Sequence, residues 1–406
     1  MITQNVHGKK IRAFSTFFYP VLAGLEISVL EIYSRLTKQG WDIEMHATNN
    51  DLVKKNSLPK TETLNGIKIK RFSSSIYCFM PWKMSSSFNS GGIIHFHDFE
   101  ILPGIWLLSY FSLLKLFQKN KSVVIVSDHG MFSRKINSNS SIKLRIKKII
   151  DHSVGVFLIN RSADKVHTVS DWLKTGLIEA GVKSSLIEVI GNGIEDTAFS
   201  DIEKEASQEI KKKVLELGSY ILQVGRIDRV KNFEVTINAL KTNSADIKLA
   251  IAGPIHDKNY HEELIKLAEL NGVRNRVFFL GPILGADKYY LMRNALVIVH
   301  MSISEGFGNV VLEAMSQGSI CIVSKGNALE ELVTDGISGF CLEYDDVVHL
   351  GEKIKYIALS TNNKEILKMK GNNRQMATNK SWNTVAGEID KFYIRILEQR
   401  NSKNER

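Results

Sequence analysis

The chain of 406 residues has little cysteine and no apolar segment at its start. Its three cysteines, Cys78, Cys321 and Cys341, are too widely spaced for a metal site, and their odd number argues against a disulfide framework. The first ten residues lack the apolar core that a secretory signal requires. These absences favour a reduced, cytoplasmic compartment.

A long apolar run is also missing. The most apolar segment, residues 101–117, is shorter than the roughly 20 residues of a membrane span. Pro103, Gly104 and Lys115 also interrupt it. We therefore interpret the segment as a buried helix. With 44% hydrophobic and 24% charged residues, the composition is that of a globular protein, and the length predicts two domains.

The net charge of +10 is unevenly distributed along the chain. Residues 1–200 contain 25 basic and 16 acidic residues (+9), whereas the remainder contains 28 and 27 (+1). Aromatic residues are not interleaved with the basic ones, which argues against nucleic acid. An anionic membrane surface or a phosphorylated acceptor fits better. The segment Ser141–Ile150, which follows Arg134 and Lys135, predicts a basic amphipathic helix, suited to a membrane surface or to covering an apolar core.

The clearest functional signal lies between Ser304 and Gly318. The apolar run of residues 295–299 predicts a buried parallel strand, and Gly318 predicts the end of the helix that follows. Between strand and helix lies the loop Gly306, Phe307, Gly308. Ligands of open α/β sheets bind at the carboxyl ends of strands, where helix N-termini attract anions. This segment is therefore a candidate anion site.

Two carboxylates bracket that segment, Glu305 in the loop and Glu313 in the helix. Helical spacing places them roughly 10 Å apart, too wide for a pair of retaining carboxylates at about 5 Å. Such a spacing suits the two ends of one elongated polar ligand, or simply two solvated glutamates.

The pattern E-G-F-G-N-x3-E resembles the signature of family 4 glycosyltransferases (group 1 glycosyl transferases), which are retaining enzymes. The resemblance implies an α/β protein of the GT-B fold, with two Rossmann-like domains facing across a cleft. It implies that Glu313 holds the ribose of a nucleotide sugar. The donor sugar and diphosphate would contact Glu305 and the loop residues Gly306, Phe307, Gly308 and Asn309.

A second motif, G-R-x4-K-N, follows the apolar strand Tyr220–Val224. The resemblance assigns Arg226 and Lys231 to the diphosphate, as two fixed cations that stabilise the leaving group without a metal or other cofactor. Solvated loop charges are the alternative for this pair.

The first half carries weaker versions of the family motifs. Residues 20–26 resemble the loop P-x-x-G-G-x-E, with Ala23 replacing the first glycine and Gly24 retained as a substrate-binding position. His129 follows a predicted strand, and the resemblance places it beside the reacting sugar; a loop histidine bound by backbone is the alternative. His95 and His97 share a strand face and could bind metal, but no third ligand is evident, so no metal site is predicted.

The sequence thus predicts an acceptor-side domain over residues 1–195 and a nucleotide-sugar domain over 196–380. The second domain would open with a charged segment at 196–213 that contains a linker and the first helix. A C-terminal helix within 381–406 would return to the first domain. The predicted function is metal-independent retaining transfer from a nucleotide sugar to a saccharide or lipid-linked acceptor, in polysaccharide or glycolipid assembly, by a cytoplasmic or peripheral membrane enzyme. An epimerase of the same fold and a non-catalytic donor-binding subunit are the alternatives.

Overall fold

The computed structural model describes residues 9–21, 24–49, 58–73, 91–97, 101–117, 119–130, 151–243 and 247–404. The chain divides into two compact units. The first consists of Met1–Asn192 and Trp382–Arg406, and the second of Gly193–Ser381. The divisions at 192/193 and 381/382 lie three residues and one residue from the expected boundaries at 195/196 and 380/381.

The first unit contains a sheet in the order β3-β4-β2-β1-β5-β6-β7-β8, parallel except for the antiparallel pair β3 and β4. Its strands are β1 Lys10–Phe14, β2 Asp42–Thr48, β3 Thr61–Leu64, β4 Ile67–Phe72, β5 Ile93–His97, β6 Val123–Asp128, β7 Lys165–Thr168 and β8 Ile187–Val189. Its described helices are α1 Gly24–Lys38, α2 Ile101–Leu116, α3 Val156–Ser162 and α4 Asp171–Glu179.

The second unit contains a fully parallel sheet in the order β11-β10-β9-β12-β13-β14. Its strands are β9 Tyr220–Val224, β10 Lys248–Ala252, β11 Val277–Gly281, β12 Val297–His300, β13 Cys321–Ser324 and β14 Gly339–Leu342. Its described helices are α5 Ile202–Glu205, α6 Gln208–Leu217, α7 Phe233–Leu240, α8 Lys258–Leu270, α9 Gly285–Asn294, α10 Asn309–Ser316, α11 Leu329–Leu332, α12 Val347–Leu359 and α13 Lys364–Thr378. The last helix, α14 Trp382–Asn404, belongs to the first unit.

Each sheet separates two apolar cores. In the first unit, alternate strand residues such as Ile93 and Ile94 enter different cores, one on each face of the sheet. Because both faces are covered, the central strands are nearly continuous runs of buried apolar side chains, as parallel strands typically are. Burying each such side chain contributes roughly 1.5–3 kcal/mol.

The terminal helix α14 returns to the first unit, as the sequence predicts, and packs there against α1. Its Asp390 accepts a hydrogen bond from Nε1 of Trp41 at 2.7 Å, and the ring of Tyr393 meets the ring of Trp41 edge to face. Trp382, Val385 and Ile389 enter the core of the first unit. The C-terminal helix is therefore part of the first unit although it follows the second along the chain.

Two sequence interpretations are wrong in part. Residues 196–213 contain the opening helices of the second unit, as predicted, but they are not a linker, because Ala198, Ile202 and Ile210 are buried in a core of that unit. Helix α2 is not buried on all sides, since it exposes a row of large apolar side chains. The predictions for Ala23 and for Ser141–Ile150, with Arg134 and Lys135, lie outside the described residues. Of the helices that are described, none combines the length and apolar character needed to cross a bilayer.

Candidate functional site

Two loops of the second unit meet at the carboxyl ends of β9 and β12. The backbone N–H of Ile303, after β12, donates to the carbonyl of Val230, after β9, at 2.9 Å. Beside them, a Cβ added at Gly253 would lie 1.9 Å from the carbonyl oxygen of Gly225. Glycine is therefore needed where the loop after β10 approaches the loop after β9.

A lysine, a glutamate and a histidine converge at this loop junction. Nζ of Lys231 lies 2.6 Å from Oε2 of Glu305, and Nε2 of His300 lies 3.0 Å from the same oxygen. Asn232, with a left-handed φ of 54°, holds the lysine loop by donating from its amide to the carbonyl of Tyr344 at 2.6 Å. The end of β12 and the loop after β9 thus fix one ionic cluster, defined here as the Lys231–Glu305–His300 cluster.

The protonation states of this cluster follow from burial and charge. Burial alone would raise the pKa of Glu305, but the Lys231 charge and the His300 hydrogen bond outweigh it and hold that pKa well below its usual range. Burial, and secondarily the Lys231 charge, lower the pKa of His300. At neutral pH the cluster therefore comprises a carboxylate, an ammonium group and a neutral imidazole that donates through Nε2.

The cluster keeps hydrogen-bonding capacity for a ligand. Both bonds to Glu305 end on Oε2, so within the described part of the chain Oε1 accepts no hydrogen bond. An ammonium group has three donors, and Glu305 engages one of those of Lys231. Lys231 and Glu305 side chains are each 20% exposed, so both are accessible. Glu305 can therefore accept a hydrogen bond from a ligand hydroxyl, and Lys231 can donate hydrogen bonds to a phosphate.

The sequence predicts two fixed cations, Arg226 and Lys231, but Arg226 is not held in place. It is exposed, and among the described residues it forms no hydrogen bond or ion pair. Lys231 is the fixed cation of this loop, and Arg226 is a charge on a solvent-exposed side chain beside it.

Helix α10 begins beside this cluster, immediately after the glycine loop. Gly308 has a left-handed φ of +96°, and a Cβ there would lie 2.4 Å from Cδ2 of Leu329. Glycine therefore lets the chain turn into the helix against a buried leucine. Gly306 and Asn309 are half-buried, and Phe307 packs against the apolar core. The helix N-terminus offers backbone N–H groups and a partial positive charge.

Glu313, in the middle of α10, forms a separate ion pair. Its Oε1 lies 3.0 Å from Nζ of Lys288, and the same Nζ lies 3.7 Å from Glu195. Burial raises the pKa of Glu313, and Lys288 acts in the opposite direction. Sequence reasoning missed Lys288 because nothing in its local sequence distinguishes it from a surface lysine of α9; only its burial shows it.

Histidines form the polar cluster of the first unit. The sheet register pairs His97 with Ser127 and Ser127 with His167 across β5, β6 and β7, and His95 lies two residues earlier on the same face as His97. Nε2 of His167 donates to the carbonyl of Ile190 at 3.0 Å, so its Nδ1 accepts from Ser127 at 2.9 Å. Oγ of Ser127 in turn accepts from Nε2 of His95 at 2.7 Å. The chain of bonds fixes the tautomers of both histidines.

Two tyrosines complete this network from helices α1 and α14. The hydroxyl of Tyr393 lies 2.7 Å from Nδ1 of His95 and donates a hydrogen bond to it. The hydroxyl of Tyr33 lies 2.7 Å from Nε2 of His97 and 3.1 Å from Nδ1 of His95. Helix α14 therefore contributes a polar group to the cluster as well as apolar packing.

His129, at the end of β6, joins the cluster through a cavity. The ring centroids of His97 and His129 lie 6.1 Å apart, and Nδ1 of His97 and Nε2 of His129 are buried with no hydrogen-bond partner in the described structure. Both line a cavity of about 10 Å³, enough for about one water-sized group. Burial lowers the pKa of His129 and of His167 to about 4.

The remaining sequence-predicted positions of the first unit are also located. Gly24 is the first residue of α1, and its carbonyl accepts from Oγ of Ser28, a residue that lines the cavity. Within the described residues, no group of three or more His, Cys, Asp or Glu side chains could hold a metal ion. Sequence reasoning found His95, His97 and His129 but missed Tyr33, Ser127, His167 and Tyr393. The alternate polar positions on consecutive strands were the available signal for Ser127 and His167.

Comparison with known sequences matches both halves of the chain to glycosyltransferases. The family description "Glycosyltransferase Family 4" matches residues 22–198, and "Glycosyl transferases group 1" matches residues 205–376. An uncharacterized glycosyltransferase of Methanocaldococcus jannaschii is 24% identical over 96% of this chain and 99% of its own. The GDP-mannose:cellobiosyl-diphosphopolyprenol alpha-mannosyltransferase of Komagataeibacter xylinus is 24% identical over 94% of this chain and 91% of its own.

Comparison with solved structures gives the fold. The crystal structure of Anabaena HepE in complex with UDP superimposes with a TM-score of 0.74 at 20% identity, covering 94% of this chain and 99% of that one. Together with the two parallel α/β units, such neighbours show that the fold is GT-B, as the sequence predicts.

Proposed function

Since the chain belongs to family 4 of the glycosyltransferases (the group 1 glycosyl transferases), we propose that it transfers a sugar from a nucleoside diphosphate sugar to an acceptor hydroxyl, with retention of anomeric configuration. Glycosyl transfer in glycan or glycolipid synthesis is the activity of the family; the donor class and the stereochemistry are our proposal. The observation that carries it is the Lys231–Glu305–His300 cluster beside the N-terminus of α10.

This cluster supports a nucleotide-sugar donor because it offers hydrogen-bond donors and a hydrogen-bond acceptor side by side. A diphosphate needs cationic and N–H donors, which Lys231, Arg226 and the first turn of α10 provide. A sugar hydroxyl needs an acceptor, which Oε1 of Glu305 provides. The half-buried carboxylate of Glu313 can accept hydrogen bonds from the two ribose hydroxyls.

In the proposed mechanism, the bond between the anomeric carbon and the diphosphate breaks first. Lys231, Arg226 and the α10 amides stabilise the negative charge that develops on the diphosphate, so that no metal is required. Glu305 holds a donor hydroxyl, and the acceptor hydroxyl attacks from the face that the diphosphate leaves and gives its proton to that departing diphosphate. We propose that His129 contacts the reacting sugar. Its lowered pKa keeps the imidazole neutral, so the ring can donate a hydrogen bond to a hydroxyl or accept one from it.

The acceptor is proposed from the relatives. The Komagataeibacter xylinus relative acts, by its name, on a cellobiosyl-diphosphopolyprenol, and its donor is GDP-mannose. We propose a saccharide or lipid-linked acceptor for this chain as well, and a cytoplasmic site of action, peripheral on the plasma membrane. An epimerase would need a carboxylic acid that gains and loses a proton, whereas Lys231 and His300 hold Glu305 ionised.

The experiment that tests this proposal is a thermal-shift panel of UDP, GDP, ADP and their common sugar conjugates. A ligand at 100 times its Kd stabilises the folded protein by about 2.7 kcal/mol, which gives a measurable rise in Tm. We expect one nucleotide to stand out. Its sugar conjugate should then give a product whose anomeric proton coupling in NMR shows retention, with undiminished rate in EDTA.

The controls separate the alternatives. The Glu305→Gln variant should keep a shift with the free nucleoside diphosphate and lose most transfer. Epimerised donor formed without acceptor would contradict transfer in favour of the epimerase, and donor binding without turnover by any acceptor would favour the non-catalytic subunit. Absence of a shift with every nucleotide would contradict the donor site itself.

A further inference from the structure

We propose that one face of helix α2 docks the first unit onto an anionic lipid bilayer. The face comprises Trp106, Tyr110, Leu113, Leu116 and Phe117, and is called the α2 face below. The inference rests on the proposed function in one respect, since a lipid-linked acceptor requires the enzyme to work at a membrane surface. The observations that carry it are independent of the donor site.

The α2 face is a continuous helical stripe. Trp106, Tyr110, Leu113 and Phe117 follow one another at intervals of four, three and four residues, which places them on one side of a helix. They are 49%, 41%, 56% and 66% exposed, and Leu116 beside them is 58% exposed. A contiguous apolar stripe of this kind on a soluble protein marks an interaction surface.

The opposite side of α2 already has its partner. Leu107, Leu108 and Phe111 are buried in a core of the first unit together with residues of α3. A helix that packs on one side normally presents polar residues to solvent on the other, but the α2 face has no charged member. Val154 and Phe157, on the segment that packs along α2, are also large apolar side chains, and they are 43% and 61% exposed. Core packing therefore does not cover the exposed Leu113, Leu116 and Phe117.

The basic residues near the α2 face indicate that its binding partner is an anionic lipid surface. Three exposed basic residues lie near α2: Lys119 and Lys121 follow it, and Arg161 lies in the last turn of α3. Tryptophan and tyrosine prefer the boundary between headgroups and acyl chains, and basic residues beside them attract anionic lipid. A second copy of the chain would bring its own basic residues against these, which disfavours self-association.

The geometry indicates a helix that lies in the interface rather than one that crosses the bilayer. Helix α2 has 16 residues, and Lys115 near its end forms an ion pair with Asp164 at 2.8 Å. Only the α2 face would enter the headgroup region, as in interfacial amphipathic helices. The bilayer thus replaces water on one side of α2 while the core of the first unit stays intact.

The test is sedimentation of the full chain with vesicles of phosphatidylcholine, with and without phosphatidylglycerol. We expect binding to the anionic vesicles that weakens with salt. The triple variant Leu113→Ser, Leu116→Ser, Phe117→Ser should bind at least tenfold more weakly. The matched control Leu215→Ser, Leu270→Ser, Leu359→Ser removes three leucines of the second unit that are 82%, 85% and 79% exposed, and it should bind as the parent does.

A second measurement needs no destabilising variant. Brominated lipids should quench the fluorescence of Trp106 in the otherwise unchanged protein, and Trp106→Phe should abolish that quenching while vesicle binding persists. Nucleotide thermal shifts and transfer to a water-soluble acceptor, measured on the same variants, separate loss of docking from failure of the proposed function. Equal vesicle binding by the two triple variants, no quenching, or concentration-dependent dimerisation through the α2 face without vesicle binding would each overturn the inference.

Discussion

The two units place polar side chains at the same position of the fold, the carboxyl ends of parallel strands, but they use different chemistry. The first unit buries a network of histidine, tyrosine and serine: His95, Ser127 and His167 are 1%, 0% and 4% exposed. The second unit uses ions, in the pair of Lys231 with Glu305. Those ionic side chains are each 20% exposed.

The difference follows from the cost of removing charge from water. A neutral imidazole that donates at one nitrogen and accepts at the other can be buried completely, whereas an isolated ion cannot. Burial lowers the pKa of every histidine in the network and keeps these rings uncharged. The second unit tolerates ions because each has a partner and access to solvent, and that access is what a charged ligand requires. The neutral cluster therefore shapes a cavity, while the ionic cluster is suited to bind an anion.

The largest effect we expect is a pH dependence of stability that belongs to the first unit. His167 has a pKa of about 4 in the folded protein against about 6.5 unfolded, so the unfolded chain binds more protons between these values. The stabilisation is full above pH 6.5 and is lost as the pH falls toward 4. Protonation of His167 should therefore reduce the free energy of unfolding by about 2 kcal/mol between pH 7.5 and 5. His129, with the same folded pKa, doubles this loss.

The measurement is urea unfolding of His167→Gln and of the parent at both pH values. The variant should lose about 2 kcal/mol less than the parent over that interval, whatever its absolute stability. His256→Gln, which removes an exposed histidine of the second unit, is the matched control and should follow the parent. An identical pH dependence for His167→Gln and parent would contradict the neutral network.

The next effect concerns the ionic cluster. Lys231→Ala removes the fixed cation of the proposed diphosphate site and leaves the Glu305 carboxylate with His300 alone. We expect kcat/KM to fall roughly 10²- to 10³-fold, as for the loss of one preorganised donor to a developing negative charge. Arg229→Ala is the matched control, because Arg229 lies on the same loop but pairs with Glu263 at 2.6 Å.

Initial-rate measurements with the donor found by thermal shift decide the matter. Comparable losses of kcat/KM in Lys231→Ala and Arg229→Ala would mean that activity depends on the integrity of the loop and not on the fixed cation. Arg226→Ala should fall between the two, since Arg226 is exposed and has to be ordered by the ligand.

Most of the fold could be predicted from the sequence, because parallel strands buried on both faces are short apolar runs with clear ends. The predicted strand Tyr220–Val224 agrees with the structure to the residue. The short antiparallel strand β3 was missed, since its burial alternates and its sequence, T-E-T-L, is mostly polar. The glycine loop before α10 was found because only a glycine turn fits between a buried strand and a helix there.

The parts that escaped prediction depend on contacts between distant segments. Sequence spacing shows that His95 and His97 share a face, but only the sheet register brings His167 next to them. The pairing of Glu313 with Lys288 likewise depends on how α9 lies beside α10. The exposed side of α2 was misread because an apolar segment gives no indication of whether its partner is a protein core or another phase.

The smallest effect tests how Glu313 contributes to the second unit. If its carboxylate accepts the ribose hydroxyls, the parent should bind the 2′-deoxy form of its nucleoside diphosphate about tenfold more weakly than the ribo form. In Glu313→Gln this ratio should fall to about two- to threefold, because an amide oxygen accepts more weakly than a carboxylate. Glu195→Gln is the control, since Glu195 also faces Lys288, at 3.7 Å, and its loss perturbs the same lysine. Calorimetric titration of the three proteins with both nucleotides gives the six dissociation constants, and a ratio unchanged by Glu313→Gln would leave Glu313 as a partner of Lys288 alone.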